Sequence, residues 1–286
     1  MKPINEKYVV AICTMGENSN LNRMINLLCR IKERDQVSFD ILIVVNSTTL
    51  NISSDNTVQV IFEPNKGYAK VRNRALEYVG NRANLIFIDD DQIPTLEWLQ
   101  NLISTHEKFP LDIVVGPVYP SHSDEEMRNS YRSQFVQLYR QRQNESLVRQ
   151  GPTANMLIPM PQLDLEDVFF DLHFNASGSE DTDFCFRMRS KGYFIRFAKE
   201  AWIQEIEKEE RFVKRYLNHR KVKDITNYSV VIRRNSSYGA IFWRFVTLLI
   251  RVLCHLVGSP LSANHRLLLK AHLLSMRSLI NGRVIN

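Results

Sequence analysis

Over its first 120 residues the chain alternates short, β-branched apolar runs with segments of helical spacing, and this limits the possible folds more than any other feature. Tyr8 to Thr14 (YVVAICT), Phe39 to Val45 (FDILIVV), Thr57 to Phe62 (TVQVIF) and Leu85 to Ile88 (LIFI) have the length and continuous apolarity of buried strands. Between them, Asn20 to Lys32 sets Leu21, Met24, Ile25, Leu28 and Ile31 at helical spacing. Tyr68 to Val79 does the same with Val71, Ala75, Leu76 and Val79. A helix from about Thr95 to Phe109 and a strand at Asp112 to Val115 continue the pattern. Such alternation predicts an α/β domain with a mainly parallel sheet flanked by helices. Ligands of such sheets gather beyond the C-terminal strand ends. Further on the signal weakens: Asp124 to Gln150 reads as a polar helix, Thr182 to Ser190 as a helix closed by Gly192, and Gln204 to Asp224 as a densely charged stretch.

Charge divides the chain. Residues 225–286 hold eight Lys/Arg and no acid, whereas residues 1–224 hold all 31 acids and 29 of the 37 bases. We therefore expect an α/β domain over 1–224 and a basic amphipathic helical tail over 225–286. Ala240 to Val257 is almost wholly apolar, with Arg244, Thr247, Arg251 and His255 spaced along one helical face. A second helix, about Ser262 to Ile280, aligns Arg266, Lys270 and Arg277. The apolar segment is near the lower limit for a membrane span, and each arginine would cost roughly 2.5–3.5 kcal/mol mid-bilayer. A helix lying in the interface of an anionic membrane fits better. The competing reading is a helical pair packed on the core with a solvated stripe. An anionic membrane surface, and no nucleic acid, is the expected partner. Cys13, Cys29, Cys185 and Cys254 match no zinc or redox spacing, so free thiols in a reducing cytoplasm are expected. The polar start, Met1 to Lys7, lacks the apolar stretch of an export signal.

Four stretches carry candidate chemistry. Asp89-Asp90-Asp91 ends an apolar strand, and its carboxylates repel one another unless a cation or donor neutralises them. Asp89 and Asp91 are two apart on an extended segment and point the same way, a hard-oxygen pair suited to Mg²⁺ or Mn²⁺ with substrate phosphates. A solvated turn capping the next helix is the bland alternative. Gly178-Ser179-Glu180-Asp181-Thr182-Asp183-Phe184 puts carboxylates at a helix N-terminus, where one could act as a base toward an alcohol or simply cap the helix. Asn65-Lys66-Gly67 to Arg72-Asn73-Arg74 is a basic loop entering a helix, suited to phosphate or equally to an ordinary charged surface helix. Arg211 and Arg215, four apart in a stretch that otherwise reads as a solvated face, could also hold a diphosphate.

Taken in order, these pieces resemble the family 2 inverting glycosyltransferases of GT-A fold. The resemblance rests on Val9 to Thr14, Val44-Val45-Asn46-Ser47 and Gly67-Tyr68-Ala69-Lys70-Val71-Arg72-Asn73. It continues through Phe87-Ile88-Asp89-Asp90-Asp91 with Pro94 and Trp98-Leu99, Gly116-Pro117-Val118, and Gly178 to Phe184 with Arg187, Gly192 and Tyr193. It spans roughly residues 8–220 and is most similar to the branch that builds succinoglycan-type exopolysaccharides and lipopolysaccharide sugars. The resemblance implies a Rossmann-like nucleotide-diphospho-sugar transferase sheet, here with a C-terminal amphipathic helical appendage. It implies that Asp91, with Asp89, ligates a divalent metal (Mn²⁺ or Mg²⁺) at the donor diphosphate, and that Asp181 is the base. Thr14 and Asn46 would meet the nucleoside, and Arg72, Lys66, Asp90, Glu180, Arg211 and Arg215 would lie around the substrates. Glu205 would stand where many members have a metal-binding His. The expected donor is a nucleotide-diphosphate sugar, a UDP-sugar foremost, and the acceptor a glycan or lipid-linked saccharide.

The sequence departs from the family pattern at Met15-Gly16, where many members have Arg or Asn, and at Asn46, where most have an acid. The arginine-rich processive motif of polysaccharide synthases is absent, so transfer of a single sugar is expected. Asp183 and Glu180 remain alternative bases. A haloacid dehalogenase-like phosphatase using Asp89 and Asp91 remains a rival, as does a non-catalytic sugar-nucleotide-binding module at the membrane surface. The expected location is cytoplasmic, peripheral on the inner face of the cytoplasmic membrane.

Overall fold

A computed structural model of the chain describes residues 7–16, 19–35, 37–48, 58–120, 133–205, 213–257 and 263–284. From the N-terminus the elements run β1 (Tyr8–Thr14), α1 (Ser19–Asp35), β2 (Asp40–Val45), β3 (Val58–Phe62), α2 (Tyr68–Val79) and β4 (Asn84–Asp89). Next come β5 (Gln92–Pro94), α3 (Trp98–Lys108), β6 (Ile113–Val115), β7 (Val118–Pro120), α4 (Ser133–Gln141) and β8 (Asn155–Ile158). The chain continues with α5 (Glu180–Ser190), β9 (Ile195–Phe197), β10 (Ile203–Glu205), α6 (Lys214–Asn235), α7 (Tyr238–Val257) and α8 (Ala263–Asn281).

Seven strands form one sheet in the order β3-β2-β1-β4-β8-β6-β9. The pairs β3–β2, β2–β1, β1–β4 and β6–β9 are parallel, and β8 runs antiparallel to both its neighbours. Both faces are covered, which is why the first strands read as unbroken apolar runs. Along β1, Val9 and Ala11 enter one core cluster with Val71, Ala75 and Phe87, while Tyr8, Val10 and Ile12 enter the other with Leu21, Leu28 and Trp98. Strand order reverses between β1 and β4, so their C-terminal ends diverge into a crevice. Thr14 and Asp89 are the last residues of those two strands.

Two polar pins hold this framework. Asn155, fully buried on β8, accepts from Trp98 Nε1 at 2.8 Å and donates to the carbonyls of Pro117 and Ala201. The backbone passes so close that a Cβ on Gly116 would lie 2.1 Å from the Ala201 carbonyl oxygen. Asn175 accepts from the Lys70 amide and donates to the Lys66 carbonyl, fastening the start of α2. Gly67 sits there with φ 138°, and a Cβ on it would fall within 1.9 Å of the Asn175 side chain.

Several elements differ from expectation. Only three residues long, β5 gives no periodic signal, yet it and the turn after it delay α3 to Trp98. The helix expected over Asp124 to Gln150 is described as Ser133–Gln141, and residues 121–132 lie outside the described part. Beyond Gln141 the backbone serves β9 instead: Val148 N–H donates to Ile195 O, and Phe197 N–H to Ser146 O. The edge strand's need for partners overrides local helical preference. The charged stretch from 204 holds β10 and then, from Lys214, a long helix, α6, that crosses the 224/225 boundary without a break. That boundary marks a change in surface charge and not in backbone. The second half of α6 buries Thr226, Asn227, Ser229, Val230 and Val231, with Val230 and Val231 packed on Phe174. Ser229 and Ser275 share a hydrogen bond where α6 meets α8.

Candidate active site

The crevice between β1 and β4 gathers most of the expected residues. The Thr14 hydroxyl donates to Asp90 Oδ2 at 2.6 Å, joining the ends of the two strands. The Asp89 amide donates to the Gln92 side chain, which tightens the turn through Asp90 and Asp91. The antiparallel β5–β10 pair sets Glu205 opposite Gln92, so a residue 113 positions further along reaches the aspartate turn. Arg72 faces the crevice from α2 and is only 8% exposed. Its guanidinium pairs with Glu180 at the start of α5, lies 3.7 Å from Asp89 Oδ1, and rests near the Phe170 ring.

This arrangement ties three elements by charge. Burial pushes the Asp89 carboxyl up, Arg72 opposes that, and Glu205, Asp90 and Asp181 repel it further. Burial likewise raises Glu180, with Arg72 opposing and Asp181 adding repulsion. Burial alone would lower Arg72, but Glu180 and Asp89 hold it firmly protonated. Acids therefore outnumber bases in a half-dry space, an environment that calls for a cation. Among the described residues, no three His, Cys, Asp or Glu side chains form a metal cage by themselves. The donor set still fits Mg²⁺ or Mn²⁺, which bind through one or two carboxylates and complete their shell with phosphate and water. Cys13 lies beside this site, and its thiol is pushed up to about 12 by burial, which makes it a poor nucleophile.

The start of α5 separates the three candidate bases. Gly178 and Ser179 both take left-handed backbone conformations with φ 73°, turning the chain sharply into the helix. Ser179 makes no side-chain cap, so the capping role open to it is not used. Asp183 is fully buried, held by Arg187 Nε at 2.8 Å and by Asn235 Nδ2 at 2.7 Å. Glu180 is committed to Arg72. Asp181 is half-buried in the first helical turn, with one oxygen on the Thr182 amide.

Other expected residues are held in ways the sequence did not reveal. Asn46 is buried and fully engaged by backbone: it donates to the carbonyls of Glu63 and Asn65 and accepts from Gly67 N–H. Its side chain shapes the 63–67 loop, and that loop leaves Lys66 exposed. Arg215 is exposed on α6, and Arg211 lies outside the described residues. Arg72, expected near the donor, faces the crevice with its guanidinium between Asp89 and Glu180. Sequence reasoning missed Gln92, Asn175 and Asn235. Each is a lone amide whose partner is distant in the chain or on an element too short to detect.

Comparison with known proteins agrees with this geometry. The family model described as "Glycosyl transferase family 2" matches residues 9–161. The succinoglycan biosynthesis protein ExoM of Rhizobium meliloti (strain 1021) is 30% identical over 142 residues, 49% of this chain and 45% of that protein. The match thus spans less than half of the relative's length. The structure of GalNAc-T7 with UDP, GalNAc and Mn²⁺ superposes with TM-score 0.50 at 12% identity, covering 97% of this chain and 56% of that one. That of S. aureus TarS 1-349 with UDP-GlcNAc gives 0.49 at 15%, covering 93% and 71%. The phosphatase reading loses its ground, since Asp89 ends the fourth strand of a GT-A sheet and not the first of a dehalogenase fold. Since the matched region runs from β1 through the strand-end aspartates to β8 and covers more than half of the sequence, this chain is a member of glycosyl transferase family 2.

Proposed function

We propose that the protein transfers one sugar, with inversion, from a UDP-sugar to a hydroxyl of a glycan or lipid-linked acceptor during cell-surface polysaccharide assembly. The observation that carries this is the Arg72 bridge, which holds the strand-end Asp89 and the first turn of α5 at one crevice. Asp181 is the base in this reading. It is the first-turn carboxylate of α5 that neither Arg72 nor Asp183's partners tie down, and it lies close enough to repel Asp89 and Glu180. Removing the acceptor proton from the face opposite the leaving group inverts the anomeric carbon in one displacement. Asp91 and Asp89 hold Mn²⁺ or Mg²⁺ in this reading, with Glu205 beside them. The ion, when bound, supplies positive charge to the departing nucleoside diphosphate. Thr14 keeps Asp90 turned toward β1, and the exposed Lys66 is placed to meet phosphate. ExoM's part in succinoglycan biosynthesis supports the polysaccharide setting. The acid-free tail supports a place at the inner membrane surface, where a lipid-linked acceptor presents its sugar.

Thermal shift with UDP, GDP and TDP, each with and without Mn²⁺, tests the donor half. Saturating ligand, about one hundred times its dissociation constant, stabilises by roughly 2.7 kcal/mol. A metal-dependent shift with UDP, lost in Asp91→Ala, is the expected result. No shift with any nucleotide would refute the reading.

A further inference from the structure

The helix α7 turns much of its apolar surface to water. Of its polar residues, Thr247 and Arg251 are exposed and two face the protein: Arg244 lies over the Tyr228 ring and within 3.4 Å of Ser229 Oγ, both on α6, and His255 stacks on His272 of α8. Leu248 and Val252 are buried on the adjoining side. The opposite arc is apolar and exposed, with Phe242 61%, Trp243 68%, Leu249 40%, Ile250 54% and Leu253 50% accessible. These positions follow helical spacing, so they form one continuous strip. Tyr238–His255 is long and apolar enough to cross a membrane by length and composition, yet it lies against α6 and α8 through Leu248, Val252, Arg244 and His255. A soluble fold leaves no such strip to water without a partner.

We propose that this strip is a membrane-docking face that enters the interfacial layer of an anionic bilayer, with α7 parallel to the surface. Charge selects lipid over a second copy of the chain. The segment 225–286 contains eight bases and no acid, so two such faces repel each other while an anionic surface attracts them. Arg251 on α7 and Arg266, Lys270 and Arg277 on α8 are all exposed, with Leu273 and Ile280 exposed among those of α8. Bases flanking an apolar strip with a tryptophan suit headgroup phosphates above and acyl chains below. The face is also fixed to the catalytic side. Asn235, three residues before α7, donates to Asp183 of α5, and Arg234 pairs with Asp171 at 2.6 Å. Docking the strip therefore sets the height of α5 above the lipid. This inference rests on the reading of the enzyme as one that works at a membrane surface.

The test uses the full chain and vesicles of phosphatidylcholine, alone or mixed with phosphatidylglycerol. The wild type should co-sediment with the mixed vesicles and shift its emission to the blue, a shift absent from Trp243→Phe. The double variant Trp243→Glu/Ile250→Glu should bind at least about tenfold more weakly at any salt, since two side chains leave the apolar layer. The triple variant Arg266→Gln/Lys270→Gln/Arg277→Gln should weaken binding mainly at low salt. Both replace exposed residues, and an unchanged UDP–Mn²⁺ thermal shift would show them folded. Equal vesicle binding by wild type and the double variant overturns the proposal. So does a wild-type dimer in light scattering that the double variant converts to monomer. Intact nucleotide binding without vesicle binding defeats the docking face alone, whereas loss of both in the wild type defeats the enzyme reading.

Discussion

The crevice at β1 and β4 and the outer strip of α7 break the same rule in opposite directions. In the crevice, Asp89, Glu180, Glu205 and Arg72 are carboxylates and a guanidinium largely withdrawn from water. On α7, Phe242, Trp243 and Ile250 are large apolar groups held in it. Neither choice serves stability in isolation, because buried charge needs a counter-charge and exposed hydrocarbon needs a cover. In the proposals made for each, a bound ligand completes the crevice and a lipid surface covers the strip. Elsewhere in the α/β domain the buried carboxylates Asp112 and Asp183 are each neutralised by an arginine, Arg196 and Arg187.

The largest expected effect separates chemistry from scaffold within α5. Asp181→Asn should lower transfer by about 10²–10⁴-fold while leaving the UDP–Mn²⁺ thermal shift intact. Asp183→Asn, two residues away, should instead loosen α5 from α6, because it weakens the bonds to Arg187 and Asn235. Turnover that survives in Asp181→Asn would move the base to another group and undo the assignment.

Next in size is the Arg72 bridge. Arg72→Met leaves Glu180 and Asp89 without their counter-charge, and breaking a buried pair in this way costs about 3–5 kcal/mol. Denaturant unfolding should show that loss. The double variant Arg72→Met/Glu180→Met should recover part of it, since an apolar pair of similar volume avoids the stranded charge. No recovery would mean that Arg72 is held for Asp89 alone.

The contrast also explains what the sequence could and could not reveal. The parallel strands were legible because sheets covered on both faces demand long apolar runs, as in FDILIVV and LIFI. Asp89-Asp90-Asp91 was legible because three adjacent acids at the end of such a run have few structural uses. The helix α6 was not, since Thr226, Asn227 and Ser229 lie inward beside only Val230 and Val231 and leave no continuous apolar stripe to detect. The engagement of Asn46 by the 63–67 backbone was equally hidden, because an amide that binds a nucleoside and one that clamps a loop look alike in sequence. For α7, the composition of the helix was visible, but which face turns outward depends on Tyr228, Ser229 and His272, all on other elements.

A smaller effect should show the opposing strain in the crevice. Asp89 has a raised pKa, so its contribution to folding is present below the ordinary carboxylate range and is lost as pH rises through the raised value. Asp89→Asn should therefore melt higher than the wild type without ligand near neutral pH, with the gap closing in acid. It should also lose Mn²⁺-dependent UDP binding. A variant that melts lower would show that Arg72 outweighs the repulsion.

The tail should respond to pH with the reverse sign. His272 is nearly buried between α7 and α8, and its pKa is pushed down to about 4 by burial and by Arg251, His255 and Arg244. The fold thus favours the neutral ring. Its contribution is present above the ordinary histidine range and is lost as pH falls from about 6.5 toward 4. With screening by nearby solvent, the loss should be roughly 1 kcal/mol. Melting followed by a tail probe, the emission of Trp243, should weaken over this window, and His272→Leu should flatten that slope while keeping the ring's apolar volume. If acid weakened crevice and tail together and His272→Leu left the slope unchanged, the two regions would not be independent responders. Protonation of the tail would then be carried by another group facing α7.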